Sequence, residues 1–164
     1  MTIQIKTIGV YGLSEETFFE TLQSAAIDTF IDIRQRRGVR GSAYAFANSQ
    51  RLQARLETLA IRYLHLKELA PTATIRQLQN EADKANKTAK RQRTILGEVF
   101  VDAYRAEILD QFDPQTLLDQ LPANAQVITL FCVERDPAAC HRSLVAQKLH
   151  QTLGWPVEHL QSEA

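Results

Sequence analysis

Cys132, Glu134, Cys140, His141 and Arg142 crowd one short stretch of this chain, and the two cysteines are the only ones it has. Thiolate, imidazole and carboxylate all bind zinc, so residues 132–141 raise the question of a metal. Their spacing matches no familiar closed zinc pattern, and the sequence assigns no metal ligand. Nucleophilic or redox use of a thiol is a second chemistry. A cysteine near a helix N-terminus, beside Arg142 and a charged His141, is more easily ionised. The plain alternative makes Cys132 a small core residue ending a buried strand, with Cys140 packed under its helix. Glu134 is placed to act as a general acid or base.

Arg34 raises a different question. It follows the apolar run Ile31-Asp32-Ile33, a poor place for a solvated charge. It needs an anion: an internal carboxylate such as Asp32 or Glu134, or the phosphate or carboxylate of a ligand. Lys67, Arg142 and a helix N-terminus would add positive potential nearby. The stretch Arg36-Arg37-Gly38-Val39-Arg40-Gly41, followed by Tyr44 and Phe46, mixes basic, glycine and aromatic residues. That mixture suits a nucleic-acid backbone with base stacking. It equally suits a lid over a small anion, or a solvated loop pinned by its aromatics. Lys84, Lys87, Lys90, Arg91 and Arg93 form a second basic run, which reads as an exposed helix face, with phosphate contact as the alternative.

The elements that must position these groups alternate between strand and helix. Residues 3–8 alternate apolar and polar, as a half-buried strand does. Ser14 can cap a helix that puts Phe18, Phe19 and Leu22 on one face. Residues 29–33 are a β-branched and aromatic strand, residues 34–47 a loop, and Asn48 or Ser49 opens a helix with Leu52 and Leu56 inward. Residues 61–64 are a third strand. Residues 75–93 read as a mostly polar, basic helix standing partly away from the core, with Leu78, Ala82, Ala85 and Ala89 as its inward positions. Asp113-Pro114 starts a short helix. Residues 126–132 form the most continuous apolar run, a strand near the sheet centre. Asp136-Pro137 opens a helix with Cys140 and His141 about a turn in, and residues 157–160 are a last strand. The expected fold is a single α/β domain over residues 1–164, with a mainly parallel sheet of about five strands and helices on both faces.

Ligands of such sheets bind beyond the carboxyl ends of the strands. Gly9 and Tyr11 follow the first strand, Arg34 the second, His65 and Lys67 the third, Cys132 and Glu134 the fourth, and His159 ends the last. The segments Thr7-Ile8-Gly9, Asp32-Ile33-Arg34, Tyr63-Leu64-His65-Leu66-Lys67-Glu68-Leu69, and Cys132-Val133-Glu134 with Cys140-His141-Arg142 resemble the signatures of the domain of unknown function 488 family, in the same order. Tyr11 stands where that family usually has a small hydroxyl residue, and residues 36–41 replace a more usual stretch containing proline and serine. The family has no assigned activity, so the resemblance implies a shared site and no particular reaction.

Composition sets the outer bounds. The chain has 164 residues, 45% hydrophobic and 23% charged, enough for one domain with a real core. Its 19 basic and 19 acidic residues give a formal net charge of zero, which argues against a general electrostatic sponge for nucleic acid. No apolar run is long enough to cross a bilayer. Two cysteines make no disulfide scaffold and no secretory signal is visible, so the expected location is the cytoplasm. The leading expectation is an enzyme or enzyme-like protein that binds an anionic small molecule or a nucleic-acid phosphate, nucleotides included. Arg34, Lys67 and Arg142, with Arg37, Arg40 and Tyr11, would hold the anion. Glu134 with His65 or His141 would move protons, and Cys132 or Cys140 would be the nucleophile. The sequence specifies no cofactor. A non-catalytic nucleic-acid-binding module and a metal- or thiol-dependent redox protein are the alternatives.

Overall fold

A computed structural model describes residues 2–89 and 93–160. Strands β1 (Gln4–Ile8), β2 (Thr29–Asp32), β3 (Arg62–His65), β4 (Val127–Phe131) and β5 (Val157–His159) form one sheet in the order β3-β2-β4-β1-β5. Every pairing is parallel. The apolar run at β4 lies at the centre, where Ile128, Leu130 and Phe131 are fully buried, as a strand covered on both faces requires.

Residues level with each other in parallel strands share a face. Asp32 is level with Phe131, and Phe30 with Thr129; Ile31 and Leu130 lie on the opposite face with Ile5 and Thr7. Helix α1 (Glu15–Ser24) covers the first face, where the Phe18 ring meets Phe30, Phe131 and Phe46. Ser14 Oγ caps α1 by accepting from the Thr17 amide, as its residue type suggests. Helix α2 (Ser49–Thr58) follows and buries Leu52 and Leu56. Helix α6 (His141–Leu153) covers the second face, tied to β1 by Arg142 and Thr7 and to the end of β2 by His141 and Ile33. Helix α4 (Glu98–Tyr104) lies on the same side, with the Tyr104 ring against His141. Helix α5 (Pro114–Gln120) begins at an Asp113 cap followed by proline. The connection leaving β1 thus crosses one face and that leaving β4 the other, so the chain parts above β4, where such sheets bind ligands.

Two local expectations change. Helix α3 covers Ala73–Ala85, not residues 75–93. It stops because Asn86 leaves helical geometry and Lys87 takes a left-handed conformation (φ 54°). Its buried side is Ile75, Gln79 and Asp83, a stripe at strict four-residue spacing. Leu78 and Ala82 are only partly buried, and Ala85 and Ala89 are exposed. The helix is therefore packed through a polar stripe that apolar periodicity misses. The second change is at Asp136-Pro137. Pro137–Ala139 is a single 3-10 turn, Cys140 is extended, and α6 begins at His141. Cys140 holds the N-cap position, with no capping bond from its side chain, rather than lying inside the helix.

Candidate functional site

The ends of β1, β2 and β4 and the start of α6 meet at one corner, and a backbone approach makes this possible. A Cβ on Gly9 would lie far inside van der Waals contact with the carbonyl oxygen of Glu134. Only glycine lets β1 pass so close to the turn after β4. Arg142 then clamps that turn. Its Nη1 donates to Glu134 O at 2.6 Å, its Nη2 to Arg135 O at 3.1 Å, and its Nε to Thr7 Oγ1 at 3.3 Å. The Thr7 hydroxyl lies 2.7 Å from His159 Nδ1, so it can accept from arginine and donate to histidine. Burial, then the charge of Arg142, lowers the pKa of His159, which suits Nδ1 as an acceptor. Arg142 is fully buried and outside the cavity described below. The sequence reading has it holding a ligand anion; here its fork is spent on the backbone carbonyls of Glu134 and Arg135.

The Arg34 guanidinium is bidentate on Asp32, with Nε 2.9 Å from Oδ1 and Nη2 2.8 Å from Oδ2. Tyr63 donates its hydroxyl to Asp32 Oδ2 at 2.7 Å, and burial, then the Asp32 charge, pushes the phenol up to about 12. Arg37 donates to the same hydroxyl, and His65 Nε2 lies 2.8 Å from the Arg34 carbonyl oxygen. Those bonds hold Arg37 and His65 behind Asp32, and neither lines the cavity. Lys67 opens a short 3-10 turn, is exposed, and is likewise outside. His159 ends in a separate recess with His150. Of the histidines expected at the carboxyl edge, only His141 reaches the site.

Among the described residues, a cavity of about 450 Å³ lies above β2 and β4, its wall carrying Arg34, Arg36, Arg40, Arg76 and Arg93. Tyr11 also lines it, beside the loop segment of Gly38 and Val39. That loop is held down by its aromatics. Tyr44 Oη accepts from the Gly12 amide and its ring meets Tyr11, while Phe46 is buried against Phe18. Phe46 therefore offers no face to a base. Despite two bonds to Asp32 and a position 4.7 Å over the Phe131 ring, Arg34 keeps one buried nitrogen, Nη1, without a hydrogen-bond partner. Arg76 Nε is buried and unpaired as well. Buried donors normally find acceptors, so two orphans on one wall are informative.

Sequence reasoning missed Arg76, Arg93 and the polar stripe of α3. Arg93 was expected on an exposed basic face, but it is buried. Its Nη1 donates to Asp83 Oδ2 at 2.6 Å, its Nη2 to Glu134 Oε1 at 2.9 Å, and its Nε to Ala139 O at 3.2 Å. Gln79 extends the network, donating to Asp83 and accepting from the Gly97 amide. Lys84 and Lys87 are exposed as expected, and Lys90 and Arg91 lie outside the described residues. The four-residue spacing of Ile75, Gln79 and Asp83 was the available signal, hidden because two of the three are polar.

Cys132, Cys140 and His141 form the cavity floor, all buried, with their potential ligand atoms within 4.8 Å of one another. Cys132 Sγ lies 3.5 Å from Glu134 Oε2, and Cys140 Sγ lies 3.9 Å from His141 Nδ1. Burial alone would push the Cys140 thiol up. Hydrogen bonds from Cys132 and His141, and the charges of His141 and Arg142, more than offset it and hold the thiol well below its ordinary value. Burial pulls His141 down, but Cys140 and the Ile33 carbonyl raise it overall. Both shifts run toward the charged forms, a thiolate beside an imidazolium. Such a group can attack an electrophile, and the same three donors can hold a thiophilic cation.

Fold and site together define an α/β protein whose parallel sheet carries, at its carboxyl edge, a buried Cys-Cys-His cluster beneath an arginine-lined cavity. The family model of the domain of unknown function DUF488 matches residues 14–149, and the chain belongs to that family. The match takes in Asp32-Ile33-Arg34 and the stretch from Cys132 to Arg142. No curated protein and no solved structure matches the chain. Among the described residues no helix is long and apolar enough to cross a membrane.

Proposed function

We propose that this protein is an enzyme-like protein whose cavity at the carboxyl edge of the sheet binds an anionic small molecule bearing a phosphate or carboxylate. The observation that carries this reading is the unpaired, buried Nη1 of Arg34, in a wall shared with Arg36, Arg40, Arg76 and Arg93. Among the described lining residues Glu134 is the one acid, and Arg93 already holds one of its oxygens. The cavity is therefore positive within a chain of zero formal net charge. A planar guanidinium with one edge committed to Asp32 is fixed in orientation, so binding an oxyanion costs little further side-chain entropy. Glu134 and the Cys-Cys-His floor are the groups within reach of such a ligand for proton transfer or bond-making. Burial of Phe46 weighs against single-stranded nucleic acid stacking in the loop and favours the small molecule.

Arg76 gives the cleaner test, because replacing Arg34 would leave the buried Asp32 without its cationic partner. Titration calorimetry with inorganic phosphate, and separately with citrate, should give saturable binding to the wild type. Arg76→Gln should weaken it about tenfold or more, the worth of one charge-assisted hydrogen bond, while the melting temperature stays within about 2 °C. Equal affinity in the variant, or no saturable binding of either anion to the wild type, sinks the reading. A short single-stranded oligonucleotide that binds with a steep inverse salt dependence, indifferent to Arg76→Gln, would favour the nucleic-acid module instead.

A further inference from the structure

The floor of the cavity holds more soft donors than a single nucleophile needs. Cys132 ends the run from β4, Cys140 holds the N-cap position of α6, and His141 is the first residue of that helix. They come from two chain segments, yet their sulfur and nitrogen atoms fall within 4.8 Å of one another. In a tetrahedral zinc centre, bond lengths of about 2.3 Å to sulfur and about 2.0 Å to nitrogen put neighbouring donors roughly 3.5–3.8 Å apart. The observed Cys140 Sγ to His141 Nδ1 distance of 3.9 Å is close to that separation.

The histidine supplies an independent argument. Its Nε2 lies 2.9 Å from the carbonyl oxygen of Ile33, and a carbonyl can only accept, so Nε2 carries hydrogen. Nδ1 is then the nitrogen facing the sulfurs, and the ring is locked in that orientation. Metal-binding histidines characteristically donate their other nitrogen to a carbonyl or carboxylate in this way. The nearby arginines turn their N–H groups elsewhere: Arg142 to the backbone carbonyls of Glu134 and Arg135 and the Thr7 hydroxyl, and Arg93 to the Asp83 and Glu134 carboxylates and the Ala139 carbonyl.

We propose that Cys132, Cys140 and His141 bind a zinc-type divalent cation, leaving a coordination position open toward the arginine-lined cavity. Three protein ligands with a free fourth position are the pattern of catalytic rather than structural zinc. The open position faces the space assigned above to the anion, and Glu134 Oε2, 3.5 Å from Cys132 Sγ, is the nearest carboxylate to a water or ligand group bound there. What the cation would act on rests on the anion-binding reading; whether it binds does not.

The experiment uses untagged full-length protein. Elemental analysis after purification without chelator should find about one zinc per chain. The protein stripped with a chelator and titrated with cobalt(II) should develop the thiolate charge-transfer band and strong visible absorption of a tetrahedral cobalt site, saturating at one equivalent. Cys132→Ser and Cys140→Ser should each weaken cobalt binding at least a hundredfold, while His65→Gln leaves it unchanged. The wild-type titration decides the question even if the serine variants fail to fold. Less than a tenth of an equivalent of metal, no cobalt spectrum, and rapid alkylation of a cysteine by iodoacetamide would overturn the proposal in favour of a free thiolate. Phosphate binding measured on zinc-loaded and stripped protein separates the two readings: metal uptake without phosphate binding leaves this one standing and removes the other.

Discussion

At the residue scale, sharing a motif does not mean sharing a role. Arg34 and Arg142 look alike in sequence, each closing a short signature at the carboxyl edge, Asp32-Ile33-Arg34 and Cys140-His141-Arg142. Arg34 keeps a nitrogen unspent; Arg142 is fully buried and donates to two carbonyls and a threonine. Arg142→Lys keeps the charge but cannot reproduce the fork, leaving at least one of those acceptors unsatisfied in the interior. The expected cost is about 2–4 kcal/mol of unfolding free energy, read from urea denaturation. A variant as stable as the wild type that has lost only phosphate affinity would return Arg142 to the ligand. Type and position identified both arginines as unusual. The direction of each fork depends on local backbone geometry, and residue type does not carry that. Arg34 folds back onto Asp32 and Arg142 onto the carbonyls of Glu134 and Arg135, with Thr7 alone brought from far along the chain.

At the scale of elements, the strands were legible and the long polar segment was not. Strand signals rest on local alternation and β-branched content, which this sheet obeys; the buried apolar run became the central strand as its composition required. Helix α3 is packed through Gln79 and Asp83, which hydrophobic periodicity scores as exposed, and the pattern reads correctly only once Arg93 is known to meet it. The chain from Gln79 through Asp83 and Arg93 to Glu134 joins α3 to the end of β4. Arg93 also bonds the carbonyl of Ala139, next to Cys140. It is a positioning residue for the floor. Arg93→Met removes the shared partner of two buried carboxylates and should cost about 3–5 kcal/mol. Adding Asp83→Asn should cost less than the sum of the single losses, because the second change removes a charge the first has stranded. Additive losses in a double-mutant cycle would mean that the pair is not coupled.

At the scale of the whole molecule, a balanced charge count conceals a local imbalance, and this gives a test that needs no knowledge of the natural ligand. With 19 basic and 19 acidic residues, general screening by salt acts on attractive and repulsive pairs alike, so sodium chloride should move the melting temperature little. Phosphate differs if it enters the arginine-lined cavity, because anything that binds the folded chain alone stabilises it by mass action. With a dissociation constant of about 1 mM, phosphate at about 100 mM would add roughly 2.7 kcal/mol, and a domain of this size would then melt about 5–10 °C higher. Phosphate also strengthens burial in proteins generally by exclusion from their surfaces, so the rise alone proves nothing. The two contributions differ in form and in their dependence on Arg76. Site binding follows the logarithm of phosphate concentration above the dissociation constant and shrinks in Arg76→Gln, whereas exclusion grows steadily with concentration and ignores the substitution. A phosphate response identical in wild type and variant, measured by calorimetric melting at matched ionic strength, would mean that the cavity's positive wall recruits no anion.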